Sequence, residues 1–202
     1  MSKASDSQRE IRKRIIDQRK AFFRSPEFDP LSGLVCRRFL EALNSNRNII
    51  IERANNNNLS VGCYLPMDGE INLHPVFGIF SNLGWELSFP VVTRATSEMR
   101  FFGVKSVELD AFETGELGVL EPKKRDRPVT HFDLILVPAV AVDRSGNRIG
   151  MGKGFYDRFL NNQRDALRVA LVFEFQIVDT LETQEWDQRV NWVFSEKSSI
   201  LL

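Results

Sequence analysis

The chain reads as an α/β protein, a three-layer α/β/α sandwich with a mostly parallel central sheet, and two observations carry that reading. Segments with helical spacing alternate with short apolar strands along the 202 residues. The stretch Asp133 to Val142, DLILVPAVAV, is apolar at nearly every position, as expected of one long central strand covered on both faces. Ligands of such Rossmann-like open sheets bind at the carboxyl ends of the strands.

Taken in order, Ser7 and Glu10 form a Ser-x-x-Glu capping pair that opens a helix carrying Ile11, Ile15, Ile16, Phe22 and Phe23. Its other face holds Arg9, Arg12, Lys13, Arg14, Arg19 and Lys20, either a solvated basic face or a source of one or two cations for an anion. Asp29 and Pro30 read as the cap and first turn of a second amphipathic helix, with Leu31, Leu34, Val35, Phe39, Leu40 and Leu43 on its apolar side. The apolar triplet Ile49 to Ile51 and the Asn55 to Asn58 run follow, the latter a turn or exposed insertion. Val61 to Leu65 is a short strand leading into the loop MDGE, and His74 to Leu83 a helix. Strands are expected at Glu86 to Val92, Met99 to Val104, Arg168 to Phe173 and finally Val190 to Phe194, with a polar loop from Glu108 to Gly118 and a helical turn from Gln176 to Leu181.

Composition narrows the function classes. A 43% hydrophobic share supports a real core, and no composition break or repeat divides the chain, so residues 1–202 are expected to form one domain. Twenty-seven basic side chains balance 27 acidic ones, which removes any global field for nucleic acid or anionic lipid and leaves local anion sites only. Cys36 and Cys63 lack metal-like spacing and suit buried free thiols. The N-terminus lacks a signal-peptide pattern and no apolar run nears the ~20 residues of a membrane span, so a cytoplasmic monomer is expected. His74 and His131 stand alone and read as structural.

The chemistry concentrates after the most apolar strand, in DRSGNRIGMGKGFYDRFL. Gly146, Gly150, Gly152 and Gly154 let the backbone turn with N–H groups facing one point, a helix opening at Phe155 adds its free donors, and Arg148 and Lys153 supply positive charge. Those features fit a cradle for nucleotide phosphates, and they fit equally a tight strand-to-helix connection with surface cations. The spacing is neither GxxxxGK[ST] nor GxGxxG, so the P-loop and dinucleotide motifs are both absent. Glu70 reads as a site acid or an exposed turn acid, Asp157 as a first-turn helix acid or a ligand, and Asp187 as a surface acid beside Trp186 or a ligand.

The whole string is more specific than its glycines. With Pro138, Asp143, Gly146, Arg148, Gly150, Gly152, Lys153, Gly154, Phe155, Tyr156 and Asp157 in order, it closely resembles the signature of the 5-formyltetrahydrofolate cyclo-ligase (5,10-methenyltetrahydrofolate synthetase) family, with Phe155 where Tyr is common. Further matches are YLPMDGEI, GVLEP at 118 to 122 with Glu121, and the tail FEFQIVDTLETQEWDQRVNWVFSE.

The resemblance implies ATP-dependent, magnesium-dependent cyclisation of 5-formyltetrahydrofolate, with or without a polyglutamate tail. It places ATP on Arg12 and on the loop Arg148, Ile149, Gly150, Met151, Gly152, Lys153, Gly154, Phe155 and Tyr156. It places folate on Leu65, Glu70 and residues 151–155, magnesium on Asp157 and Asp187, and catalysis on Lys153, Arg148 and Tyr156. One departure stands out: Gln8 occupies the family's usual Lys position, and the neighbouring Arg9 is turned by ~100° on a helix. A sugar-phosphate isomerase or deaminase of related fold and a non-catalytic folate or nucleotide binder are the competing classes.

Overall fold

The computed structural model describes residues 3–46, 58–67 and 69–202, with only the backbone for 3–7. The triplet Ile49 to Ile51, most of the Asn55 to Asn58 run and Asp68 lie outside the described residues.

Strands β1 (Ser60–Gly62), β2 (Glu86–Thr93), β7 (Leu134–Leu136), β10 (Leu167–Leu171) and β12 (Trp192–Phe194) run parallel in the order β12-β10-β7-β1-β2. Antiparallel strands close both flanks: β13 (Ser199–Leu201) on one, β3 (Glu98–Gly103) and then β6 (Pro128–Val129) on the other. Alternation sorts the central strand, since Leu134 and Leu136 face one layer while Ile135 and Val137 face the opposite one. Helices α2 (Phe28–Ser45) and α3 (His74–Asn82) cover the first face through Val35, Phe39, Phe77 and Phe80. Helix α4 (Phe155–Leu160) covers the second through Leu160. Helix α1 (Lys3–Phe22) lies against a smaller sheet, with Ile15 packed on Val140, Ala141, Ile149 and Leu181.

The expected long strand over 133–142 is in fact two strands in two sheets. Val137 N–H still donates to Val169 O at 2.8 Å, but Pro138 has no N–H and the ladder ends there. Ala141–Asp143 then forms β8, between β9 (Arg148–Ile149) and β11 (Ile177–Val178) in the smaller sheet. The carbonyls orphaned at the break are satisfied by buried Gln176, whose Nε2 donates to Ala139 O at 3.1 Å and Val140 O at 2.9 Å. That bond pattern is the structural meaning of the Gln in the tail motif.

Other boundaries moved for local reasons. Helix α1 is already helical at Lys3, so Ser7 sits inside it and is not its cap. Helix α2 starts at Phe28 with Glu27 as its flanking residue, which places Asp29 and Pro30 in the first turn. Residues 174–176 form a 3-10 turn and 177–178 a strand, replacing the expected helical turn. The polar loop after β3 contains a hairpin, β4 (Phe112–Thr114) and β5 (Leu120–Pro122), whose Glu121 is buried and accepts Val92 N–H at 2.9 Å. Cys36 and Cys63 are free and buried, and burial pushes the Cys36 thiol up to about 12 and the Cys63 thiol higher still. No helix among the described residues is long and apolar enough to cross a membrane.

The turn between β8 and β9 is set by one carboxylate. Asp143 Oδ1 accepts Ser145 N–H and Asn147 N–H, each at 2.9 Å, and Oδ2 accepts Asn147 Nδ2 at 2.8 Å and Leu181 N–H at 3.0 Å. Gly146 turns at φ +78°, and a Cβ there would lie 2.5 Å from Val190 O. Gly146→Ala is therefore expected to lower stability by at least ~2 kcal/mol in urea unfolding, because strain and a backbone clash coincide.

Candidate active site

A cleft of about 790 Å³ opens at the carboxyl ends of the parallel strands, walled by α1, the loop after β1, the glycine loop and residues 184–188. Its two ends differ in chemistry.

One end is the glycine loop. The turn 143–147 buries Asp143, Gly146 and Asn147, exposes Arg144 and Ser145, and lies outside the cleft, so this loop lines the cleft only from Arg148 onward. Gly152 and Gly154 have φ of +85° and +68°, and Gly154 directly precedes α4. Arg12 reaches over from α1: its Nε donates to Gly150 O at 2.8 Å, and a Cβ on Gly152 would sit 3.5 Å from its Cζ. Gln8, one turn earlier, donates from Nε2 to Glu182 O, whereas Arg9 is exposed and outside the cleft. A shift of one residue does not let Arg9 replace the missing lysine. Lys153 and Met151 are exposed on the cleft, and Lys153 has no ion-pair partner among the described residues. Ile149 turns its side chain into the core beneath α1 and offers the loop its backbone only.

Below that loop lies a buried charge pair. Arg148 is 6% exposed, and its Nη2 donates to Asp157 Oδ1 at 2.8 Å. Burial lowers the pKa of this guanidinium, opposed by Asp157, Tyr156 and Asp187. Gln188 N–H also donates to Asp157 Oδ1, at 3.2 Å, while Asp187 Oδ2 accepts Gln184 N–H at 2.8 Å. Both carboxylates line the cleft. No group of three His, Cys, Asp or Glu capable of holding a metal is present among the described residues. A pair of carboxylates beside a phosphate cradle nonetheless fits magnesium, which takes one or two protein carboxylates and completes its shell with phosphate oxygens and water. The Tyr156 hydroxyl and Arg148 Nε are buried without partners. Burial, and next the charge of Glu70, push the Tyr156 pKa up, so the hydroxyl stays protonated and able to donate.

The other end combines an acid with apolar walls. Leu65, Met67 and Glu70 face Pro90, Val92 and Met99, and the tip of the β4–β5 hairpin adds Leu117, Val119 and Leu120. Glu70 is not an exposed turn acid: Arg19 Nη2 lies 3.2 Å from its Oε1, and Met67 N–H donates to Oε2 at 3.0 Å. Of the two readings of the basic face, Arg19 therefore does not fit the solvated one, being 6% exposed. The signal was present in the spacing. On a helix of 100° per residue, Gln8, Arg12, Ile15 and Arg19 fall within ~40° of one stripe, so Arg19 shares the buried side of Ile15. The hairpin wall leaves no mark in the sequence pattern, because its residues are apolar at no regular period. Trp186, which the sequence marks only as a neighbour of Asp187, stands 66% exposed on the cleft rim. His74 packs against the ring of Phe77 and its backbone N–H donates to Asn72 Oδ1 at 3.2 Å, and His131 is exposed 3.7 Å from Asp133 Oδ1.

A glycine loop with backbone donors facing an acid beside apolar walls, at the carboxyl ends of a parallel sheet, is the arrangement of an α/β enzyme acting on small molecules. The chain belongs to the 5-formyltetrahydrofolate cyclo-ligase family, whose sequence model matches residues 4–196. It is 30% identical over 145 residues to the 5-formyltetrahydrofolate cyclo-ligase of Haemophilus influenzae, covering 69% of this chain and 75% of that one. Over 90 residues it is 38% identical to the enzyme of that name from Mycolicibacterium smegmatis, 43% of this chain and 46% of that one. Among solved structures it is similar to Aquifex aeolicus 5,10-methenyltetrahydrofolate synthetase, with a TM-score of 0.74, 29% identity, and coverage of 95% of this chain and 91% of that one. The Mycoplasma pneumoniae synthetase shares the fold at TM-score 0.70 and 20% identity, covering 93% of this chain and 98% of that one.

The Arg148–Asp157 pair makes a stability difference between the two carboxylates. Asp157→Asn leaves a buried guanidinium without its counter-charge and is expected to cost about 3 kcal/mol in urea unfolding. Asp187→Asn, on a half-exposed turn, should stay within ~0.5 kcal/mol of the parent.

Proposed function

We propose that this chain closes the ring of 5-formyltetrahydrofolate to 5,10-methenyltetrahydrofolate, driven by ATP and with release of ADP and phosphate. The observation that carries the reading is one cleft with the Arg12-braced glycine loop and free Lys153 at one end and Glu70 beside apolar walls at the other.

An amide-like formyl group is a poor electrophile, and hydroxide is a poor leaving group. Transfer of the terminal phosphoryl group of ATP to the formyl oxygen forms an iminium phosphate and leaves ADP. The nitrogen at position 10 then attacks the formyl carbon and gives up its proton to solvent, and the C–O bond breaks as phosphate departs. No protein nucleophile is required, in keeping with two cysteines buried and held as thiols.

Within that scheme Gly150, Gly152 and Gly154 present backbone to the phosphates, Arg12 braces the loop, and Lys153 neutralises charge on the transferring group. Arg148 acts by holding Asp157 in place, and the Tyr156 hydroxyl, with no partner of its own, donates to the reacting end of the substrate. Leu65, Glu70, Met151 and Phe155 contact the folate. Asp157 and Asp187 would hold magnesium, which when bound neutralises phosphate charge. In this reading the chain is a monomeric single domain; its balanced charge offers no general field for nucleic acid or an anionic membrane, and its free thiols fit a reducing compartment such as the cytoplasm.

Incubation with 5-formyltetrahydrofolate, ATP and magnesium should produce the absorbance of the conjugated methenyl product, and omission of ATP should abolish it. Turnover of a phosphosugar without ATP, or binding of both ligands without ADP release, would replace this reading with an isomerase or a binding module. Lys153→Ala should lower kcat by about 10²-fold or more with little change in folate KM. An unchanged kcat removes Lys153 from the mechanism.

A further inference from the structure

Helix α1 touches three separate loops of the cleft from one stripe of side chains. Gln8 bonds Glu182 O, Arg12 bonds Gly150 O at 2.8 Å, and Arg19 reaches the loop after β1. At that last contact the fit is close. Arg19 Nε donates to Gly69 O at 3.2 Å, and Nη2 pairs with Glu70 Oε1 at 3.2 Å. Gly69 turns at φ +80°, and a Cβ there would lie 2.9 Å from the Arg19 carbonyl oxygen, so helix backbone and loop backbone are in contact. The side chains of Arg19 and Glu70 are 7% and 13% exposed, which removes most of the solvent screening that makes surface pairs weak.

From this geometry we infer that Arg19 is the positioning residue for Glu70. Its planar fork holds the Gly69 carbonyl and the Glu70 carboxylate together, so that the carboxylate faces the folate end of the cleft in one orientation. A lysine has one compact ammonium and no fork, and meets only part of that demand. Arg19 touches no substrate in this scheme and acts only through Glu70, so the inference rests on the reading of Glu70 as a folate contact.

The test is steady-state kinetics with 5-formyltetrahydrofolate and ATP varied separately for Arg19→Met, Arg19→Lys, Glu70→Gln and the double variant Arg19→Met/Glu70→Gln. Arg19→Met should raise the folate KM about tenfold, the loss of one charge-assisted contact, and move the ATP KM by less than about twofold. Arg19→Lys should recover part of that loss. The double variant should be no worse than Glu70→Gln alone, because a residue that works through its partner has nothing left to position. An unchanged folate KM in both Arg19 variants, an equal rise in both KM values, or additive losses in the double variant would overturn the inference. Should Arg19→Met fail to fold, Arg19→Lys decides by the same split between the two KM values. Glu70→Gln with the parent folate KM removes the reading of Glu70 and this inference with it. A raised KM in Glu70→Gln beside unaffected Arg19 variants removes the inference alone.

Discussion

The missing N–H of Pro138 is the constraint on which the site depends. A central strand that continued through residue 142 would extend the main sheet and leave no separate platform for the glycine loop. Because the ladder stops after Val137, the chain leaves the main sheet and starts a second, smaller sheet at its edge. Two buried carbonyls are exposed by the break, and each unsatisfied one would cost ~1–3 kcal/mol. Gln176 from a distant segment supplies both donors, so the break is held in place by tertiary contacts as well as permitted by the proline.

The smaller sheet then does two things for function. Its hairpin corner, built on the fourfold-bonded Asp143 carboxylate, brings Arg148 under the loop and points residues 150–156 at the cleft. Its outer face gives α1 an apolar seat on Val140, Ala141 and Ile149. Seated there, α1 contacts the glycine loop through Arg12 and the acidic loop through Arg19. One helix thus spans both ends of the cleft. Most of the cations at the cleft are committed: Arg148 to Asp157, Arg12 to the Gly150 carbonyl and, behind the wall, Arg19 to Glu70, whereas Lys153 stands exposed without an ion-pair partner among the described residues.

By itself the sequence determined the fold class, the parallel core strands, the family and the glycine loop that follows the central strand. These depend on local features: periodicity, apolar runs and a motif whose residues are contiguous. It also separated Gln8 from Arg9, since helix geometry fixes their relative direction. Tertiary structure alone decided how 133–142 divides between two sheets, because an apolar run carries no mark of which sheet it pairs with. It likewise decided that the tail Gln is a backbone patch, that Glu121 is a buried brace, and that the β4–β5 hairpin walls the cleft. Arg19 is the instructive case. Its helical angle placed it beside Ile15, but the same angle serves a snorkelling surface arginine. Only the position of the Glu70 carboxylate, 51 residues further along the chain, turns it into half of a buried ion pair.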